Sequence, residues 1–324
     1  MKTIDNDIKT GQFKQIYLLY GEEQYLIRQY RDKLKHALAA DDDTMNFSAF
    51  SGSDINQKEI IDLAETLPFF ADRRLILIED SGLFKKSAEE LADYMSSIPE
   101  TTYFVFAEKE IDKKTKMYKQ VKKNGSIVEF PRQNETTLSR WIEGRIRRNG
   151  KNITRDAYAL FIRKTGDDME NIRMELEKLI SYTLGRDVIT DQDVEEICTV
   201  RVTNKIFEMV AAIVTRNTRK AMDLYEDLIT LREPPMRILF LIARQFNQIL
   251  QVKELMNQGM EKNGIASKLK MQPFVVGKTM PQAKSFSREQ ILSYVNLCVD
   301  TEEAVKTGRL DERLAVELLI TRQY

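Results

Sequence analysis

The turn formed by Gly21, Glu22 and Glu23 is where phosphate chemistry would first be sought. It follows an apolar run at residues 16–20, and the turn after the first strand of a parallel α/β domain is where a helix N-terminus holds nucleotide phosphates. Such a loop needs several glycines, whose amides converge on the phosphates, and a lysine. This turn has one glycine, no lysine and two carboxylates that would repel phosphate. We therefore interpret it as a degenerate phosphate loop and expect no nucleotide or other cofactor.

Other residues with reactive side chains form no convincing catalytic set. Glu79 and Asp80 follow an apolar run, where magnesium-binding acids often lie, but without a phosphate loop they are better explained as polar residues at a strand end. His36 lies in a charged helical stretch with no serine or cysteine nearby, so a surface histidine is favoured over a general base. Cys198 and Cys298 are too few for a zinc site or a disulfide framework. We expect neither catalytic residues nor metal ligands.

Composition limits the classes of function. The 324 residues exceed one ordinary core, so two or three domains are expected. Lys plus Arg and Asp plus Glu both number 50, and this zero net charge argues against nucleic-acid binding by bulk charge alone. No stretch resembles a signal peptide, and no apolar run approaches the ~20 residues that cross a bilayer. We expect a cytoplasmic globular protein with no membrane partner.

Two basic runs leave a local nucleic-acid contact open. Residues 109–123 are rich in lysine and residues 140–151 in arginine. The solvated face of a charged helix is the usual explanation for such runs, and contact with the DNA backbone is the alternative.

The first 132 residues alternate strand-like and helix-like stretches. Apolar runs at residues 16–20, 75–78, 102–106 and 127–130 predict four strands, and residues 46–50 are interpreted as a further one. Two of the intervening helices are predicted at residues 22–38 and 57–66. Continuous apolar runs are typical of strands that are buried on both faces. The alternation therefore predicts a parallel α/β sheet.

The rest of the chain is predicted to be helical. Residues 137–200 contain no convincing strand, and helical stripes include Leu138, Ile142 and Ile146. From residue 204 onward the pattern is again helical, with an unusually wide apolar face. That face comprises Ile238, Leu241, Ile242, Phe246, Ile249 and Leu250. The core of a bundle is the plainer interpretation, and an assembly surface is the alternative.

An apolar loop is the most unusual local feature. Pro68 is expected to end the preceding helix, which leaves Leu67, Phe69 and Phe70 in a connection. The residues alone favour a hydrophobic turn packed under the sheet. The alternative is an anchor that inserts into a pocket on another protein, because neighbouring side chains in a loop rarely all face the core.

Six short segments, each weak alone, are specific in their common order and spacing. They are residues 18–26, 65–75, 113–119, 166–179, 272–276 and 300–308. On these segments the sequence resembles the delta-subunit family of the bacterial DNA polymerase III clamp loader over essentially its full length. Features of the other loader subunits are missing, namely the phosphate loop and four-cysteine zinc module of the ATPase subunits and the Ser-Arg-Cys motif of delta-prime.

The resemblance implies a fold class of α/β plus all-α in three domains. Residues 1–136 would form an AAA+-type parallel-sheet domain, residues 137–203 a helical lid, and residues 204–324 a helical collar for oligomerisation. The family's clamp-binding wedge, carried over by the motif, falls on Leu67, Phe69 and Phe70. This correspondence favours an exposed anchor over a packed turn.

The resemblance also implies the function and the partners. The chain would bind and open the sliding clamp (the beta subunit) for loading onto primed DNA during replication, without hydrolysing ATP itself. The delta-prime and tau/gamma subunits would be its loader partners, within a DNA-directed DNA polymerase holoenzyme. Two alternatives remain at this stage, an active AAA+ nucleotide hydrolase that uses Glu79 and Asp80, and a stand-alone DNA-binding protein that uses the basic runs.

Overall fold

The five predicted strands of the first 130 residues form one parallel sheet. The computed structural model describes residues 1–40, 43–199 and 202–322. The strands are β1 (Ile16–Tyr20), β2 (Phe47–Ser51), β3 (Arg74–Glu79), β4 (Thr102–Glu108) and β5 (Ser126–Glu129), in the order β2-β3-β4-β1-β5. Every pairing between neighbouring strands is parallel, so all five carboxyl ends lie along one edge.

Helices cover both faces of this sheet. They are α1 (Lys2–Thr10), α2 (Gln24–Leu38), α3 (Gln57–Glu65), α4 (Glu89–Tyr94) and α5 (Lys116–Asn124). Leu18 and Phe104 belong to a core shared with α3, α4 and α5. Their strand neighbours Tyr17 and Leu19 point to the opposite face and are fully buried as well, which explains the unbroken apolar runs.

The remainder of the chain is mainly helical. Its elements are α6 (Glu135–Arg148), β6 (Asn152–Ile153), α7 (Arg155–Thr165), α8 (Met169–Tyr182), β7 (Val188–Ile189), α9 (Asp191–Ile197), α10 (Val202–Val214), α11 (Thr218–Thr230), α12 (Pro235–Asn257), α13 (Lys262–Leu269), α14 (Pro273–Ser285), α15 (Arg288–Lys306) and α16 (Glu312–Thr321). The expected fold class, α/β plus all-α with a parallel sheet followed by helices, is confirmed.

The expectation that residues 137–200 contain no strand was wrong. The two-residue strands β6 and β7 pair in parallel, with Asn152 opposite Val188 and Ile153 opposite Ile189. Strands this short have too few residues to show a period-two pattern, so the sequence gives no signal for them.

The wide apolar face of α12 belongs to the core of a bundle. Ile238, Ile242, Phe246 and Ile249 are fully buried, in a cluster formed by helices α10 to α16. The Phe246 ring stacks on Tyr294 of α15, with 4.7 Å between the ring centroids. This confirms the plainer interpretation of that face.

The chain divides into two compact units, Met1–Thr137 and Leu138–Tyr324. The finer division into domains 1–136, 137–203 and 204–324 stays a prediction.

Candidate functional site

The apolar loop between α3 and β3 lies in solvent. Leu67 is 75% exposed, Phe69 57% and Phe70 95%. The two phenyl rings contact each other edge to face, with 4.5 Å between their centroids. We refer to these three side chains as the apolar tip. The turn packed under the sheet, which the residues alone favoured, is therefore not what forms.

The end of α3 determines where the tip begins. The helix stops at Glu65, and Thr66 adopts an extended conformation with φ −75° and ψ 124°. The helix predicted at residues 57–66 therefore ends one residue earlier than expected, and Pro68 lies in the connection after it, as predicted. The residue before a proline is restricted to extended conformations, so Leu67 could not have continued the helix.

The buried side chain of Arg74 donates hydrogen bonds to the backbone of the first part of the loop. Its Nε donates to the carbonyl oxygen of Thr66 at 2.9 Å, and its Nη2 donates to that of Leu67 at 3.3 Å. Its Nη1 donates to the carbonyl oxygen of Met45, also at 3.3 Å. One guanidinium group therefore joins the loop after α3 to the segment before β2.

Asn46 holds the second part of the loop through both ends of its side-chain amide. Its Nδ2 donates to the Phe69 carbonyl oxygen at 2.9 Å, and its Oδ1 accepts from the Phe69 backbone N–H at 2.6 Å. The Asp43 carboxylate accepts from the same Nδ2 at 2.9 Å, and this hydrogen bond lowers the pKa of Asp43. Because Asn46 is only 2% exposed, the loop backbone is fixed by a buried contact.

No sequence pattern marked Met45, Asn46 or Arg74 as functional residues. Met45 is 62% exposed and lies directly before Asn46. Its only sequence signal is its position before the predicted strand at residues 46–50. Its relation to the tip arises from hydrogen bonds between residues more than twenty positions apart in the chain.

The backbone of the turn after β1 packs against Phe130. The Glu23 N–H donates to the carbonyl oxygen of Phe130 at 3.0 Å. Gly21 has φ +135°, and a Cβ at this position would lie 2.4 Å from the same oxygen. The close approach of Phe130 thus explains why residue 21 is a glycine. The Phe130 carbonyl oxygen also accepts a hydrogen bond from the Glu23 N–H, an amide that a phosphate loop would direct at its ligand.

The acids at the end of β3 are paired with cations. Glu79 accepts from Arg31 of α2 at 2.5 Å, and Asp80 pairs with Lys109 at 2.6 Å. Burial alone would lower the pKa of Arg31, but its hydrogen bonds to Glu79 and Asp32 outweigh that effect and raise it. Glu79, one of the two carboxylates that the hydrolase interpretation would assign to magnesium, is therefore paired with an arginine.

The remaining reactive side chains lie apart from these groups. His36 is exposed, with its Nδ1 2.8 Å from the Asp32 carbonyl oxygen. Cys198 and Cys298 are buried, and burial raises the pKa of each thiol to about 12. Among residues 1–40, 43–199 and 202–322, no three His, Cys, Asp or Glu side chains form a group that could hold a metal ion.

Two family models match this chain. The model described as DNA polymerase III, delta subunit, matches residues 17–131. The model for the C-terminal domain of the same subunit matches residues 203–323. The chain belongs to the family of DNA polymerase III delta subunits. The resemblance found in the short segments is thereby confirmed.

Relatives of this delta-subunit family agree in length and fold. The DNA polymerase III subunit delta of Bacillus subtilis is 29% identical, over 97% of this chain and 94% of the relative. A probable subunit delta from Aquifex aeolicus is 24% identical, over 84% and 83%. The solved structure of the Bacillus subtilis DNA clamp loader delta protein covers 98% of both chains at 27% identity, with a TM-score of 0.75.

The basic runs of this delta-family chain are partly neutralised. Lysines in the first run pair with acids of the same unit, in the pairs Lys109–Asp80, Lys113–Glu129 and Lys116–Asp93. In the second run, Arg145 pairs with Glu177 and Arg147 with Glu143. This pattern is typical of the solvated helix faces that the runs predicted.

No helix in the part of the chain that the structure describes has the length and apolar character to span a membrane.

Proposed function

We propose that this delta-family chain binds the sliding clamp and opens it for loading onto primed DNA, without hydrolysing ATP itself. The observation that carries the proposal is the apolar tip, three large side chains held in water by a fixed backbone. Leu67, Phe69 and Phe70 would be the clamp-binding residues. The solved relative is named a DNA clamp loader protein, which supports the same assignment.

The tip has the properties of an interface anchor. Burying two of its side chains in a partner's pocket would contribute about 3–6 kcal/mol of gross driving force. Aromatic side chains at the centre of an interface often dominate its binding energy. Because Asn46 and Arg74 already fix the loop, little conformational entropy is lost on binding.

Clamp opening follows from differential affinity. A binding protein shifts an equilibrium only by the difference between its affinities for the two states. The tip must therefore fit the strained or opened subunit interface of the clamp better than the closed interface. No chemical step in this chain is needed for that shift.

The turn after β1 supports the absence of ATP hydrolysis in this chain. Gly21 packs closely against Phe130, and Arg31 forms an ion pair with Glu79. The carboxylates of Glu22 and Glu23 add negative charge to the turn. ATP hydrolysis would then belong to partner subunits of the tau/gamma type, and delta-prime would complete the loader. Such an assembly would work at the replication fork, and the protein would then act in the cytoplasm.

The tip is tested by replacing Leu67, Phe69 and Phe70 together with alanine. Titration of this variant into the cognate sliding clamp, followed by calorimetry without nucleotide, should show no measurable complex, whereas the unmodified chain binds. Circular dichroism should be unchanged, because exposed side chains contribute little to stability.

A matched control removes equally exposed apolar side chains elsewhere. Leu184, Phe240 and Val299 are 77%, 64% and 57% exposed, and their joint replacement by alanine should leave clamp affinity unchanged. Wild-type affinity in the tip variant, or an equal loss in the control, would contradict the assignment of the tip.

A further inference from the structure

We infer that Asn46 is a positioning residue of the clamp-docking surface, and that Met45 is a fourth apolar contact in it. The inference rests on the proposed function of the apolar tip. Its basis is that the tip and the segment before β2 share two buried polar anchors, Asn46 and Arg74, and so form one surface from two parts of the chain.

The chemistry at Asn46 is specific to a side-chain amide. Phe69 offers one backbone N–H and one backbone carbonyl oxygen, and Asn46 satisfies both, accepting at 2.6 Å and donating at 2.9 Å. Aspartate of the same size lacks the donor, and alanine lacks both groups. Loss of both hydrogen bonds would leave these partly buried groups of Phe69 without partners in the protein, so the loop would move if Asn46 were lost.

The conformation of the tip needs such an anchor. Phe70 has φ +51°, in the left-handed region that a bulky residue rarely adopts. The strain persists only where the surrounding structure enforces it. Without the contact from Asn46 to Phe69, the loop would relax and its aromatic side chains would turn toward their own domain, where they bury apolar area.

Met45 is brought to the same place by Arg74. The guanidinium group donates from Nη1 to the Met45 carbonyl oxygen and from Nη2 to the Leu67 carbonyl oxygen, both at 3.3 Å. The two backbones are therefore neighbours, and both side chains lie mainly in solvent. A flexible thioether side chain adapts to an irregular apolar pocket, which suits the partner that the tip is proposed to enter.

The first experiment is a double-mutant cycle on clamp affinity in the full-length chain. Asn46→Ala should weaken binding to the cognate clamp by about tenfold. If Asn46 acts by placing Phe69, the loss should be smaller when Asn46→Ala is made in a Phe69→Ala background, because coupled changes are not additive. An independent structural effect would give the same loss in both backgrounds and would overturn the positioning role.

Asn124→Ala is the matched control for Asn46, since Asn124 also donates to a backbone carbonyl oxygen, that of Met95, in the same unit. This control should leave clamp affinity unchanged. An equal loss in the control variant would attribute the effect of Asn46→Ala to general loosening of the domain and would overturn the inference.

Met45→Ala supplies a variant whose folding is not at risk, because the side chain is exposed. It should weaken clamp binding about threefold to tenfold, while Met174→Ala, with a methionine that is 46% exposed, should not. Wild-type affinity in Met45→Ala would overturn the fourth contact. If the triple alanine variant of the tip binds the clamp normally, the proposed function itself fails; if only Asn46→Ala and Met45→Ala bind normally, this inference alone fails.

Discussion

At the scale of single residues, the proposed site separates the groups that bind from the groups that hold them. Leu67, Phe69 and Phe70 are apolar and lie together in water, and a group of exposed apolar side chains is typical of an interaction surface. Asn46 and Arg74 are polar and buried, and every hydrogen bond they give the loop goes to its backbone. The tip can therefore be altered without disturbing its support.

Gly21 allows a test of whether Phe130 constrains the turn after β1. Gly21→Ala should lower the free energy of unfolding by more than the roughly 1–3 kcal/mol of backbone strain, because the added Cβ would lie 2.4 Å from the Phe130 carbonyl oxygen. Urea unfolding followed by circular dichroism measures the loss.

Gly82→Ala is the control, since Gly82 has φ +71° with no atom within 4 Å of an added Cβ. It should cost only the conformational penalty of about 1 kcal/mol. Equal losses in the two variants would show that residue 130 does not press on the turn.

The sequence predicted the tip but not its support. Leu67, Phe69 and Phe70 were found because a local motif resembles a family wedge, and a motif is readable from adjacent residues. Asn46 supports the tip through hydrogen bonds that span 23 positions of the chain, and Arg74 joins the tip to Met45, which lies 29 positions before Arg74. Such contacts leave no local pattern, so they were found only in the folded structure.

At the scale of elements, burial on both faces made the three central strands β1, β3 and β4 predictable, because a continuous apolar run is typical of such a strand. The edge strands β2 and β5 are only partly buried, but all five strands form within one or two residues of their predicted bounds. The two-residue strands β6 and β7 were missed, since backbone pairing of this length does not need a hydrophobic pattern.

The central helix of the bundle gives a prediction at this scale. Phe246→Ala on α12 should destabilise the chain by about 3–5 kcal/mol, because the ring is fully buried and stacks on Tyr294. Phe240→Ala on the same helix should change stability by less than about 0.5 kcal/mol, since that ring is 64% exposed. Thermal unfolding followed by circular dichroism checks both, and similar effects would contradict the assignment of the two faces.

At the scale of the whole molecule, the chain is proposed to act by binding alone. In the parallel-sheet domain the turn after β1 packs against Phe130, and Glu79 at the end of β3 forms an ion pair with Arg31. What the same domain offers to a partner is the apolar tip. Its contribution to clamp loading is then a difference in affinity between two clamp states.

Because of the turn after β1, we expect that the isolated chain does not bind ATP. Calorimetric titration with magnesium and ATP up to millimolar concentration should give no saturable heat, because the carboxylates of Glu22 and Glu23 repel phosphate. Saturable binding that is lost in Glu79→Gln would support the nucleotide-hydrolase alternative instead.

The most direct test of clamp opening is energy transfer between two dyes placed on either side of a subunit interface of the cognate clamp. Addition of the full-length chain without nucleotide should lower the transfer, because binding favours the opened interface. The variant with alanine at Leu67, Phe69 and Phe70 should leave the transfer at the value of the free clamp. Tight binding of the unmodified chain with no change in transfer, or an equal decrease caused by the alanine variant, would contradict clamp opening by the apolar tip.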